Sequence, residues 1–262
     1  MKRRSSQSEK TVEIDVMTLI SVAIVIVMLA LAIFGLLRLT KSFMKVSVIE
    51  VRGDSPYEQE EIITASGIRM KDKLYAVDAE AVEKNIKAYC PYISSVDIQT
   101  RFPNKIRISV ESLTASWYVE IFEDFYALDA DLRVLEETSS NQKFISAGIP
   151  KLTLPNISST VVGSTLIYGK NEQEIKYAEE FMNAVKGTGF KSRLTLVDID
   201  EQFDIYIQVD GTINVYMGSI RDADVKLDAV ERALSDPKLK DCTGAEIDVS
   251  NPQMLSVRPK YD

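Results

Sequence analysis

The chain has 262 residues, with 31 basic against 39 acidic side chains, a net charge of −8 and no histidine. That acidic balance disfavours phosphate backbones and anionic lipid as partners. The missing histidine excludes Ser-His-Asp and Cys-His catalysis, HExxH zinc sites and any histidine metal ligand.

In chain order, the first element is an uncharged apolar run, Val16 to Leu37, of 22 residues. As a helix it would be roughly 33 Å long, enough for a hydrocarbon core of roughly 30 Å. Ala30-Leu31-Ala32 resembles a signal-peptide cleavage site, but five apolar residues, Ile33 to Leu37, follow it. The expectation is an uncleaved transmembrane helix over 16–37 behind a tail of residues 1–15. Lys2, Arg3, Arg4 and Lys10 precede the span and Arg38, Lys41 and Lys45 follow it, so the charge rule leans toward a cytoplasmic tail by one residue. With the tail's net +1 removed, the remainder carries −9.

A small β-α-α-β-β unit follows. Lys45 to Arg52 is rich in β-branched residues and reads as a strand. Ser55, Pro56 and Glu58 have the form of a helix start with a capping box. Ile62 and Ile63 give that helix its buried side, and Gly67 suits a left-handed C-cap. Asp78 is the next N-cap, and Val82, Ile86 and Tyr89 share one helical face. Pro91 prevents continuation. Val96 and Ile98 begin a second strand ending at Thr100-Arg101, Phe102-Pro103-Asn104 turns the chain, and Ile106, Ile108 and Val110 alternate in a third.

The next segment starts near Ser112. Trp117 to Val119 and Phe125 to Leu128 read as strands, and Leu132 to Leu135 as a return after an Ala130-Asp131 turn. Asn141 to Gly148 reads as a loop, and Asn156 to Ser164, rich in Ser, Thr and Asn, as exposed. Glu172 to Val185 is a helix, with Ile175, Ala178, Phe181, Met182 and Val185 on its broad apolar face. Strands over Leu194 to Ile199, Ile205 to Val209 and Thr212 to Met217 follow, the last two joined at Asp210-Gly211. Asp222 to Leu234 is a second helix, with Val225, Leu227, Ala229, Val230, Ala233 and Leu234 available for packing. Glu246 to Val249 and Met254 to Val257 form the last strand pair. Cys90 and Cys242 lack CxxC or metal-ligand spacing and read as free, small hydrophobes. No phosphate loop, GxGxxG or GxSxG occurs, and nothing singles out a catalytic pair among the carboxylates.

These residues resemble a known family. Val51-Arg52-Gly53, Ser66-Gly67-Ile68, Leu74 with Val77-Asp78, Pro91-Tyr92-Ile93, Val96, Arg101-Phe102-Pro103 and Val110-Glu111 are similar to the FtsQ-type POTRA domain. A tail and a single span directly before it match the FtsQ/DivIB family of bacterial cell-division proteins. Tyr216-Met217-Gly218, Ala245 to Ser250 and Val257-Arg258-Pro259 resemble that family's C-terminal half. The chain departs from the family at Leu132, where a hairpin glycine is common, and at Ser112-Leu113-Thr114, where an Arg and a Pro are.

The resemblance implies an α+β layout: a cytoplasmic tail (1–15), a transmembrane helix (16–37), a POTRA-like domain (45–111) and a mostly antiparallel β domain with two helices (112–259). It implies a single-pass protein of the cell membrane, at the division septum, with its body extracytoplasmic. It would act as a divisome scaffold without cofactor or reaction, with FtsB-like and FtsL-like partners and neither nucleic acid nor small-molecule substrate. The partner-binding positions would be Arg221 at the helix start and Ser250, Met254, Leu255, Ser256, Val257 and Arg258 at the final strand. Two other readings are a membrane-anchored cell-wall enzyme using two carboxylates and a POTRA-type chaperone or transport module. An enzyme would have two close acids in a deep cleft. A transport module would have further POTRA copies or a barrel partner.

Overall fold

Residues 16–239 and 242–261 are described, in a computed structural model. Helix α1 spans Val16–Phe43. Its continuously described side chains, Leu19 to Gly35, are exposed and, apart from Ser21, apolar. Among the described residues no helix is long and apolar enough to cross a membrane. The helix covers the whole of the expected span, residues 16–37. The tail, residues 1–15, lies outside the described residues.

The first folded unit is a three-stranded sheet ordered β1-β3-β2, from β1 (Val48–Arg52), β2 (Ile93–Arg101) and β3 (Lys105–Ser112). β1 runs parallel to β3 and β2 antiparallel to it. Two helices cover it, α2 (Gln59–Ser66) and α3 (Ala79–Tyr89). The element order is the one the sequence indicates. Ile62, Val82, Ile86, Ile93, Ile106, Ile108 and Val110 form its buried core. Asp78 caps α3, accepting from the N–H groups of Glu80 (3.1 Å) and Ala81 (3.3 Å). Gly67 closes α2 at φ 70°.

Two local expectations fail here. α2 starts one turn later than Ser55-Pro56 suggests: Ser55 Oγ accepts from Tyr57 N–H, and Glu61 accepts from Glu58 N–H at 3.1 Å. The acidic side chains thus cap at Glu58 and leave Pro56 in the preceding turn. Tyr89 is 76% exposed, because α3 ends there and Cys90, buried, takes the inward place.

The second unit is a nine-stranded sheet ordered β12-β11-β10-β9-β8-β7-β4-β5-β6. Its strands are β4 (Trp117–Ile121), β5 (Asp124–Leu128), β6 (Val134–Thr138), β7 (Lys151–Thr153), β8 (Leu194–Asp198), β9 (Ile205–Val209), β10 (Ile213–Gly218), β11 (Gly244–Asp248) and β12 (Ser256–Lys260). The sheet is mixed. β4–β7, β7–β8 and β10–β11 are parallel pairs and the others antiparallel. Parallel neighbours need a crossover, and α5 (Glu172–Lys186) and α6 (Ala223–Leu234) lie in the β7–β8 and β10–β11 connections. Their apolar faces join the sheet's main core, with Phe181, Val185, Leu227, Val230 and Ala233 buried beside Trp117, Ile207 and Val215. Val225, expected to pack, is instead 50% exposed. A third, short helix, α4 (Gln142–Ser146), stands where a loop is expected; it buries Phe144, which stacks on Tyr118 with ring centroids 5.3 Å apart.

The two units touch at the β4–β6 end. Tyr118, Ala127, Leu135 and Phe144 form a small buried cluster against which Tyr92 and Leu113 pack. Arg133 also donates to the Lys87 carbonyl at 3.4 Å. Cys90 and Cys242 are both free.

The C-terminal sheet edge as candidate interaction site

β12 stands at the end of the nine-stranded sheet, with β11 on one side and, among the described residues, no strand on the other. An edge strand presents main-chain N–H and C=O groups that another chain can pair with. The register is fixed: Gly244, Glu246 and Asp248 lie opposite Lys260, Arg258 and Ser256. β11 is packed into the core through Ala245 and Ile247, and Val249 just after it is buried too.

The sequence-predicted residues divide into three places. Ser256, Val257 and Arg258 lie on β12. Met254 and Leu255 do not lie on the final strand, as expected, but in the turn before it. There Asn251 accepts the Met254 N–H at 2.9 Å, so the chain is still turning at 254. Met254 is 78% exposed. Ser250 opens the same turn, its N–H donating to Asp248 Oδ1 at 2.9 Å. Arg221 is exposed just ahead of α6, where Asp222 adopts φ 59°. The approach of the two loops is visible at Gly218, where an added Cβ would meet Ser250 Cβ at 3.2 Å.

One residue that shapes this region is not legible in the sequence. Lys226 on α6 is only 2% exposed. Its Nζ donates to the Met217 carbonyl at 3.0 Å and the Ser219 carbonyl at 2.7 Å. Desolvation lowers its pKa, with Asp222 acting to raise it and Arg221 to lower it. The buried ammonium ties α6 to the end of β10 and so holds the loop bearing Arg221. A lysine inside an amphipathic helix reads as solvated from sequence alone, which is why it escapes notice.

The outer face beside the edge is polar and aromatic. Tyr206 and Tyr216 lie with ring centroids 4.9 Å apart. They line a shallow cavity of about 440 Å³ with Asn214, Glu246, Asp248 and Arg258. The Lys260 ammonium, 2.8 Å from Glu246, holds that carboxyl below its usual range. Burial pushes the Tyr206 phenol up, helped by Asp204. A larger cavity, about 840 Å³, lies at α2 and α3 between Tyr57, Glu61, Tyr89 and Cys90, and none of the sequence-predicted residues lines it. Among the described residues no group of three or more His, Cys, Asp or Glu side chains could hold a metal ion.

Residues 44–111 match the family model of the FtsQ-type POTRA domain. The chain is similar to the cell division protein DivIB of Clostridium botulinum (strain Hall), 26% identical over 229 residues, which cover 87% of this chain and 86% of the relative. It is similar to the cell division protein FtsQ of Corynebacterium glutamicum, 22% identical over 241 residues, covering 91% and 98%. A shorter match, 32% identical over 98 residues, joins it to DivIB of Lactococcus lactis (strain IL1403), covering 37% and 25%.

Proposed function

We propose that this chain, which belongs to the FtsQ/DivIB family of cell division proteins, is a membrane-anchored scaffold that recruits FtsB-like and FtsL-like proteins to the septum through its C-terminal sheet edge. The single observation that carries the reading is β12, an edge strand without an outer neighbour among the described residues, at the end of a well-packed sheet. Strand addition supplies main-chain hydrogen bonds for affinity, and alternate side chains supply selectivity. Val257 is partly buried against the core, and Leu255 and Met254 are exposed apolar groups beside it. An added strand would cover all three. Arg221, Ser250, Ser256 and Arg258 would contribute polar contacts around that seam.

α1 would be the anchor, with the tail cytoplasmic and both sheets outside the cell membrane. In this role the protein works by holding partners near one another, without cofactor or bond-making chemistry.

The test is a binding measurement on the full chain in detergent micelles. The probes are the extracytoplasmic segments of the FtsB-like and FtsL-like proteins of the same bacterium. A chain ending after Ser250, which lacks β12 and keeps β11, is the comparison. Binding by the full chain that is lost on truncation supports the reading. Equal binding by both moves the site elsewhere, and no binding by the folded full chain overturns it.

A further inference from the structure

The direction of each main-chain group on β12 follows from its neighbours. Ala245 donates its N–H to Thr212 at 3.2 Å, and Val249 to Tyr216 at 2.9 Å, so the odd-numbered residues of β11 face β10. Successive residues of a strand direct their N–H and C=O groups to opposite sides. Gly244, Glu246 and Asp248 therefore face β12, and their partners Lys260, Arg258 and Ser256 face back toward β11. The Lys260 carbonyl confirms this, accepting from the Thr243 N–H at 2.9 Å. The outward-facing residues of β12 are then Val257 and Pro259.

Proline has no N–H, and within sheets it is confined to places where its nitrogen faces away from the ladder. Pro259 fits that rule on this edge. It leaves the outer side of β12 unequal: Val257 offers a donor and an acceptor, and Pro259 offers an acceptor alone. We infer that Pro259 sets the register of strand addition, making Val257 the residue that exchanges two hydrogen bonds with an incoming chain and directing the pairing toward Leu255. This rests on the scaffold reading above. The incoming segment would be extended, with apolar side chains at alternate positions to continue the face of Leu255, Val257 and Pro259. The same missing donor handicaps edge-to-edge pairing of two copies, since each would bring its own proline.

The experiment has two arms, both on the full chain in detergent micelles. In the first, amide hydrogen exchange is followed with no partner present. The Arg258 and Lys260 amides should be protected and the Val257 amide should exchange freely; the reverse pattern overturns the inference. In the second, the probe is the partner segment that binds in the assay above. Its addition should protect Val257. The Pro259→Ala chain, which regains one outward donor, should bind about 2- to 12-fold more tightly, the worth of one hydrogen bond. Val257→Pro, which loses the remaining donor, should bind more weakly by a similar factor. A segment that binds without protecting Val257, or that binds Pro259→Ala no more tightly, overturns the role of Pro259 and leaves the scaffold reading standing. A full chain that binds no segment overturns both.

Discussion

Removing the C-terminal strands one at a time separates support of the fold from the edge proposed to bind a partner. A chain ending after Ser250 loses β12, and one ending after Thr243 loses β11 as well. The segment 244–250 contributes Ala245 and Ile247 on β11 and Val249 just after it, all buried. Fully burying an Ile or Val side chain is worth about 1.5–3 kcal/mol and an Ala methyl about 0.8, so their loss removes roughly 4–7 kcal/mol. That figure is an upper estimate, because unfolded chains already bury some surface. It is still a large share of the 5–15 kcal/mol typical of a whole domain. β12 contributes chiefly Val257, partly buried, so its loss removes only about 1 kcal/mol of apolar burial. At about 2–4 °C per kcal/mol for a unit of this size, the first truncation should lower the melting temperature by a few degrees and the second by roughly 8 °C more. The chain's one tryptophan, Trp117, is buried in β4 of the same sheet, so its fluorescence reports unfolding of this unit. If the two truncated chains melt within 3 °C of each other, the placement of β11 in the core is refuted.

Other outcomes follow from single residues. Hydrogen bonds from Lys105 and Arg52 hold Glu50 near 2, below its ordinary 4.5. A depressed carboxylate stabilises fully above its unfolded value and loses that contribution as pH falls toward the folded one. The melting-temperature gap between the native chain and Glu50→Gln should therefore close between pH 4.5 and about 2. Lys226→Ala leaves the Met217 and Ser219 carbonyls without their ammonium donor; chemical unfolding should show a loss of about 2–4 kcal/mol. Gly53 has φ 116°, and an added Cβ would sit 1.9 Å from the Val110 carbonyl oxygen. Gly53→Ala should thus destabilise the first unit by about 3 kcal/mol or more, read by the loss of amide protection in β3. Leu132 is 6% exposed at φ 61°. Leu132→Gly should relieve roughly 1–2 kcal/mol of left-handed strain but forfeit roughly 2–5 of burial, for a net loss of about 2 kcal/mol in chemical unfolding.

What the sequence makes legible here is mostly local. Asp78 and Gly67 act as the cap chemistry requires, and Asp210 and Gly211 take the left-handed conformations their types favour, at φ 53° and 73°, but Val209 pairs with Ile213, so the loop has three residues and not the two expected. Boundaries shift where several residues could do one job. Ser55 is the better cap by type, but its hydroxyl is taken by the Tyr57 N–H, and the reciprocal box of Glu58 with Glu61 starts the helix later. The final strand begins at Ser256 and not Met254 because Asn251-Pro252 needs a full turn before pairing can resume. Non-local features are the least visible. The short β7 gives no alternating pattern of its own, yet it sits between β4 and β8 and joins the sheet into one. At Leu132 the sequence shows a departure from the family's usual glycine, and the backbone adopts the glycine-like conformation anyway, held by the burial of the side chain. Of the candidate site the sequence shows the residues but not the burial of Lys226 or the outward-facing nitrogen of Pro259, which emerge only once burial and strand directions are known.

The order of the nine strands carries a spatial consequence. The joint with the POTRA domain lies at β4–β6, and β12 is the opposite edge. Eight interstrand spacings of about 4.8 Å separate the outermost strands by roughly 38 Å across the sheet. That is wider than a typical small folded module, so a protein gripping β12 and another resting on the POTRA domain need not collide. The sheet thus acts as a spacer bar, holding the β12 edge and the joint with the POTRA domain at opposite ends of one rigidly hydrogen-bonded layer.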